Sequence, residues 1–310
     1  MGFGRFFVVR LTWAVVAFWL AVTVAFFASL PAPAREPVYC GSERLARCVR
    51  PPSEDYDADH TFAQRYRHFI SSLAQERSPG SSLISGQDTG AVARAAMAVT
   101  ASLVGLALLL AIGAAVPLAL AREWPARLLG LLLGSAYAAF LLGFWALRLF
   151  GVGLGWAPVG GYCGLLDPHA DCGGVGDWFS HLLLPATVLA VFPAAIYARV
   201  IRSSLLRVRA SKEKDHGVRR IVLPFARVVA RDFGFLVGAA VFVEAIFGLP
   251  GLGDMLTSAI DAKDRLAVEA ALVYASALAI GVHLAVDLVV GALDRDLRRS
   301  WPVAAMPVPA

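Results

Sequence analysis

Six stretches of this chain are apolar for a length suited to crossing a bilayer, and that pattern leaves few folds open. They cover residues 11–30, 95–121, 128–150, 182–201, 233–247 and 267–293. A hydrocarbon core of about 30 Å needs about 20 mostly apolar helical residues. Backbone polar groups in lipid must bond within the protein, so only helices and closed barrels span it. Continuous rather than alternating hydrophobicity selects helices. The composition agrees, with 58% hydrophobic and 16% charged residues, far from the balance of a water-soluble domain. The expectation is an all-α integral membrane protein with six transmembrane helices. The fifth run is short unless its helix begins near Ile221, which sets Arg227, Arg231 and Asp232 in its inner part, where long basic side chains snorkel.

Lysine and arginine placement orients the bundle. With the N-terminus inside, Arg5, Arg10, Arg122, Arg127, the basic run from Arg199 to Arg220, and Arg295, Arg298 and Arg299 share one side. The opposite short loops hold Asp167, Asp171, Asp177, Asp254, Asp261 and Asp264 against only Lys263 and Arg265. This predicts an N-in/C-in topology, and makes the net charge of +5 a topological signal rather than a mark of nucleic-acid binding. The start of the chain also resembles a cleavable signal, with Arg5 and Arg10 before an apolar run and Ala32-Pro33-Ala34 after it. A signal core is about 7 to 15 residues long. The uncharged stretch 11–30 is longer, so an uncleaved first span is expected. The organisation read from this is 1–30 for the N-terminus and first helix, 31–94 for a long extracytoplasmic loop, 95–294 for a five-helix core, and 295–310 for a cytoplasmic tail.

All four cysteines fall on the outer side of this topology: Cys40 and Cys48 in the first loop, Cys163 and Cys172 between the third and fourth spans. Their closeness in pairs, on the oxidising side, suggests two local disulfides. Free thiols or a metal site are the alternatives, the latter without CxxC spacing to support it. Within the first loop, residues 58–75 set Phe62, Tyr66, Phe69, Ile70 and Leu73 at helical spacing, which predicts an amphipathic helix on the membrane surface or on the bundle.

Catalytic motifs are missing. No GxxxxGK[ST], HExxH, GxSxG or CxxC occurs, so nucleotide hydrolysis, zinc proteolysis and serine hydrolysis lack their parts. The expectation is a non-enzymatic chain that binds no cofactor or metal. The remaining chemistry lies in polar residues within spans. His283 and Asp287 stand at i and i+4 on the last helix, able to bond to each other or relay a proton, with packing the simpler account. Glu244, near the end of the fifth run, is expected to pair with a basic group or to face a translocation cavity. His181 and Arg148 read as interfacial.

The segment 216–254 is the most specific. It sets Arg219, Arg220, Arg227 and Arg231 at one end of an apolar run, Glu244 near the other, and then Gly248-Leu249-Pro250-Gly251-Leu252-Gly253, which cannot continue a helix. The chain is expected to cross and then turn back. Val243-Glu244-Ala245-Ile246-Phe247 followed by that turn, with Trp156-Ala157-Pro158, His181-Leu182-Leu183-Leu184-Pro185-Ala186, Arg202-Ser203-Ser204-Leu205-Leu206, Asp261 and Asp287, resembles the inner-membrane permease subunits of binding-protein-dependent ABC importers, of the dipeptide/oligopeptide/nickel branch. Leu293-Asp294-Arg295-Asp296 lacks the proline with which that family tends to close its last span.

The resemblance implies a type I ABC importer permease bundle in the bacterial inner membrane. It implies a path for peptides or similar small solutes, a second permease subunit, an extracytoplasmic solute-binding protein, surrounding membrane lipid, and two cytoplasmic ATPase subunits that use the ATP. It implies no nucleic-acid partner. In such importers the loop between the fourth and fifth spans couples to the ATPase, here about 202–220, with Arg209, Ala210, His216, Gly217, Arg219 and Arg220 as its candidates. That loop is short: only 207–215 separate the two matching flanks, without the family's Ala-rich stretch and Gly turn. A shortened working loop, impaired coupling, and a degenerate copy kept as a scaffold or regulatory subunit are the three readings of that gap. Substrate identity is not legible in these residues.

Overall fold

The computed structural model describes residues 3–28, 61–82, 84–120, 141, 143–156, 158, 160–164, 174–210 and 217–293. Its helices, in chain order, are α1 Phe3–Ala28, α2 Phe62–Glu76, α3 Thr89–Leu120, α4 Val175–Ala210, α5 Gly217–Phe247, α6 Leu252–Asp261 and α7 Arg265–Leu293, with a π-helical segment Leu147–Gly153 between α3 and α4. Among the described residues the only β pairing is an isolated bridge between Ser81 and Asp88. Helices α1, α3, α4 and α7 are each long and apolar enough to cross a membrane, and α5 and α6 form a pair bent by 70° that counts as a fifth crossing. Most of the expected third span, 128–150, lies outside the described residues.

The helices outrun the apolar stretches that announce them. α4 begins at Val175 and ends at Ala210, α5 begins at Gly217, and α3 begins at Thr89. Hydropathy detects the length in contact with hydrocarbon, whereas a helix continues through its polar end turns; Asp177 in the first turn of α4 suits the positive end of the helix dipole. The segment 202–220, expected to hold the coupling loop, is mostly helical in its described part. Residues 202–210 are the last turns of α4 and 217–220 the first turn of α5, so only 211–216 fall between the two helices.

Two packed groups make up the bundle. In the larger, α3 lies against α4 along matching alanine stripes, Ala107, Ala111, Ala115 and Ala119 on one and Ala186, Ala190, Ala194 and Ala198 on the other, all buried. Small residues every fourth position let two backbones approach closely, which is how helices gain contact where lipid offers no hydrophobic contrast. Leu103, Leu182, Leu236 and Tyr197 fill the space between α3, α4 and α5. In the smaller group α1 lies along α7, and α2 crosses their end through Phe26, Phe69 and Val273. Thr23 and Tyr66 hydroxyls bond at 2.8 Å, and Thr61 with Gln64 caps α2. The amphipathic helix thus rests on the bundle. α1 is covered on one side only, leaving Trp13, Trp19, Val24 and Phe27 exposed on the other.

Candidate functional site at the α5–α6 break

After Phe247 the chain turns through Gly248, whose φ of 59° belongs to the left-handed region glycine tolerates. Leu249 N–H donates to the Glu244 carbonyl at 3.0 Å, closing α5, and α6 begins at Leu252. Leu249 and Leu252 point into the core, which holds the turn down.

The Glu244 side chain then organises the break from inside. It is fully buried. One carboxylate oxygen, Oε1, accepts from the Thr100 hydroxyl of α3 at 2.7 Å. The other, Oε2, accepts from the backbone N–H of Gly253 at 2.7 Å and of Asp254 at 3.4 Å. Thr100 in turn accepts from Leu252 N–H at 2.8 Å. The first turn of a helix has N–H groups with no partner of their own and carries partial positive charge, so a carboxylate there is doubly favoured. Glu244 is therefore the cap of α6, supplied by the preceding helix. A side-chain Cβ at Gly251 would overlap the Glu244 carboxylate, and one at Gly253 would overlap the backbone of Val241. The turn needs glycine at both places because the carboxylate and α5 lie against its backbone. Among the described residues Glu244 meets neither a basic side chain nor an open cavity, which corrects the sequence expectation.

Asp287 takes a partner that the sequence reading did not name. Its Oδ2 lies 2.7 Å from Arg10 Nη1 of α1, with both side chains largely buried. His283 Nε2 is 3.5 Å from the same oxygen and its side chain is half exposed, so the expected i, i+4 contact exists but is secondary. Phe6, one turn before Arg10, packs where Gly291 leaves room on α7.

The other candidates are scattered. Arg209 and Ala210 end α4, Gly217, Arg219 and Arg220 open α5, and His216 lies outside the described residues. His181 Nδ1 stands 2.9 Å from the Asp177 carbonyl oxygen within α4, and Arg148 is exposed. Cys163 is disulfide-bonded, and Cys40, Cys48 and Cys172 lie outside the described residues. A non-reducing peptide map should recover Cys163 only in a cross-linked peptide; free alkylation of Cys163 before reduction would contradict that bond.

A second junction secures the same end of the bundle. Asp88 caps α3, accepting from Gly90 and Ala91 N–H at 3.1 Å each and from the Ser78 hydroxyl. Tyr274 of α7 donates to the Arg77 carbonyl at 2.6 Å, and Ser82 donates to Asp264. Between this turn and α6 lies an open groove of about 440 Å³ bordered by Ile84, Val92, Pro250, Asp254, Met255 and Ser258. The Ser78 hydroxyl, with help from the two N–H groups, holds Asp88 below the usual carboxylate range. A carboxylate whose folded pKa is depressed stabilises the fold above its ordinary value, here 3.8, and that contribution is lost as pH falls. Asp88→Ala should cost about 1 kcal/mol near neutrality. The gap in thermal midpoint between the two proteins should narrow progressively as pH falls below 3.8; a gap that stays unchanged as the medium is acidified would contradict the cap.

Residues 212–299, which contain α5, the break, α6 and α7, match the family model described as binding-protein-dependent transport system inner membrane component. Over these residues the chain is similar to that family. Beyond the match, the chain is 32% identical over 160 residues to a protein of Brucella ovis named as a peptide permease, covering 47% of this chain and 49% of that one. It is 30% identical over 158 residues to a protein of Sinorhizobium fredii named as a peptide ABC transporter permease, covering 46% and 49%. It is 31% identical over 174 residues to the di/tripeptide transport system permease protein DppB of Pseudomonas aeruginosa, covering 47% and 52%. The chain spans about half the length of the curated relatives it matches. Glu244 and the Gly-Leu-Pro-Gly-Leu-Gly turn fall inside the matched segment, and the geometry gives them a physical account: a buried carboxylate capping the helix that follows the turn.

Proposed function

We propose that this chain is a permease subunit of an ABC importer in the bacterial inner membrane, forming part of the path for peptides or similar small solutes. The observation that carries the reading is the Glu244-capped break between α5 and α6, lying within residues 212–299 that match the binding-protein-dependent permease family. The names of the relatives support peptide as the substrate class. The chain crosses the membrane six times with both termini in the cytoplasm, so α6 and the turn at Asp88 face outward, toward a solute-binding protein. It pairs with a second permease subunit, and two separate ATPase subunits supply the energy; this chain itself binds no nucleotide.

The α4–α5 hairpin is the coupling element of this reading. Because α4 runs to Ala210 and α5 starts at Gly217, the shortness of the segment is offset by helix on both sides of 211–216. A continuous helix transmits displacement along its axis better than an irregular loop of the same length. The test is co-purification in mild detergent with ATPase subunits of the same organism, followed by reconstitution with a solute-binding protein. Binding-protein-dependent ATP hydrolysis is the expected result. A Gly-Gly-Gly insertion between Ser211 and Lys212 should reduce that stimulation at least about tenfold while leaving assembly intact. Failure to recover any ATPase with the intact chain would sink the transport reading.

A further inference from the structure

Two buried polar groups sit near one another in the α4–α5 hairpin, and neither is satisfied. Tyr197 of α4 is fully buried, with its ring edge-on to Phe225 of α5 at 5.3 Å between centroids. Its hydroxyl has no hydrogen-bond partner. Asp232 of α5 uses Oδ1 for the Arg231 Nε–H, at 3.4 Å, and leaves Oδ2 buried and unbonded. Phe225, which touches the Tyr197 ring, and Asp232 stand seven residues apart on α5, two turns along the same face, so Asp232 lies on the side of α5 turned toward Tyr197. A phenol is a donor and a carboxylate oxygen an acceptor, so the two groups are complementary. Buried polar atoms in folded proteins are nearly always bonded, and two such exceptions on facing helices call for a common cause.

We propose that Tyr197 and Asp232 are the halves of a clasp that is open in this arrangement of the hairpin and closed, with the Tyr197 hydroxyl donating to Asp232 Oδ2, in a second one. Packed helices change by small discrete shifts between arrangements, and a clasp unmade in one is naturally made in the other. The surrounding residues suit such a shift: Phe225 packs on the Tyr197 ring by an edge, and Arg231 is mostly exposed and free to follow the carboxylate. The existence of two arrangements does not depend on the transport reading. The identity of what drives them does: under that reading the hairpin leads into 211–216, where an ATPase subunit would push.

The experiment places 3-fluorotyrosine at position 197 of the full chain in lipid nanodiscs and follows its fluorine resonance, with relaxation dispersion so that fast exchange also registers. Two populations are expected. Asp232→Leu, which removes the acceptor, should abolish the closed one, and Asp232→Asn, which retains an accepting oxygen, should keep both. One population, or two that persist in Asp232→Leu, overturns the clasp. Adding the ATPase subunits with ATP should then change the ratio of the two populations at least about threefold. Two populations that respond to Asp232→Leu but not to nucleotide support the clasp and count against the transport reading alone.

Discussion

Glu244→Ala should leave a protein that inserts but does not hold its re-entrant turn, with a loss of at least about 3 kcal/mol. The figure follows from what is stranded: the Thr100 hydroxyl and the Gly253 N–H lose their acceptor in a buried place, and the Asp254 N–H loses it in a partly buried one. Each unsatisfied buried donor costs about 1–3 kcal/mol. Glu244→Gln keeps one accepting oxygen and the shape but gives up the charge at the α6 N-terminus, worth about 0.3–1 kcal/mol, so it should fall between. Gly253→Ala should be as damaging as Glu244→Ala by a different route, because its Cβ overlaps the Val241 backbone and α6 must lift away from α5. Thermal midpoints in detergent rank the three, and protease cutting within 248–254 reports the turn itself. A Glu244→Ala protein as stable as wild type, with that turn still protected, would show that the carboxylate is not the cap.

The break between α5 and α6 was legible because glycine and proline mark it directly, and glutamate before a Gly-Pro turn marks something polar there. What Glu244 does was not legible. Its partners are a hydroxyl on α3 and N–H groups on the far side of the turn, and a donor in the backbone leaves no trace in residue identity. Span cores were legible for the ordinary reason that lipid demands a continuous apolar run. Their ends were not, since the polar last turns of α4 and first turns of α5 read as loop although their backbone bonds continue. The alanine stripes of α3 and α4 were present in the sequence as a four-residue period, and Ala107, Ala111, Ala115 and Ala119 could have announced that seam. The candidate coupling residues from Arg209 to Arg220 gain little, because they sit where the two helices approach the undescribed stretch 211–216.

In the sequence Arg10 reads only as a topological charge, and its pairing with Asp287 joins residues 277 positions apart, so no local pattern reveals it. The pair gives the other large expected effect. α1 is covered on one side only; its outer half packs on α7 through Val22, Ala25, Phe26 and Val273, and near its N-terminal end this ion pair and Phe6 against Gly291 join the two helices. Asp287→Leu alone removes the carboxylate 2.7 Å from the largely buried Arg10 guanidinium, and Arg10→Met alone removes the guanidinium from Asp287; each should cost about 3 kcal/mol, the lower end for breaking a buried ion pair. The double variant removes both charges together. Since an apolar replacement of a buried pair is often neutral, it should recover most of that loss. His283→Gln, acting on a half-exposed side chain at the edge of the pair, should stay within about 0.5 kcal/mol of wild type. The double-mutant cycle, read as unfolding midpoints and as cross-linking between cysteines introduced at the N-terminal end of α1 and the C-terminal end of α7, separates the pair from its surroundings. Strictly additive losses in the double variant would mean that Arg10 and Asp287 contribute independently and that α1 is held by its apolar face alone.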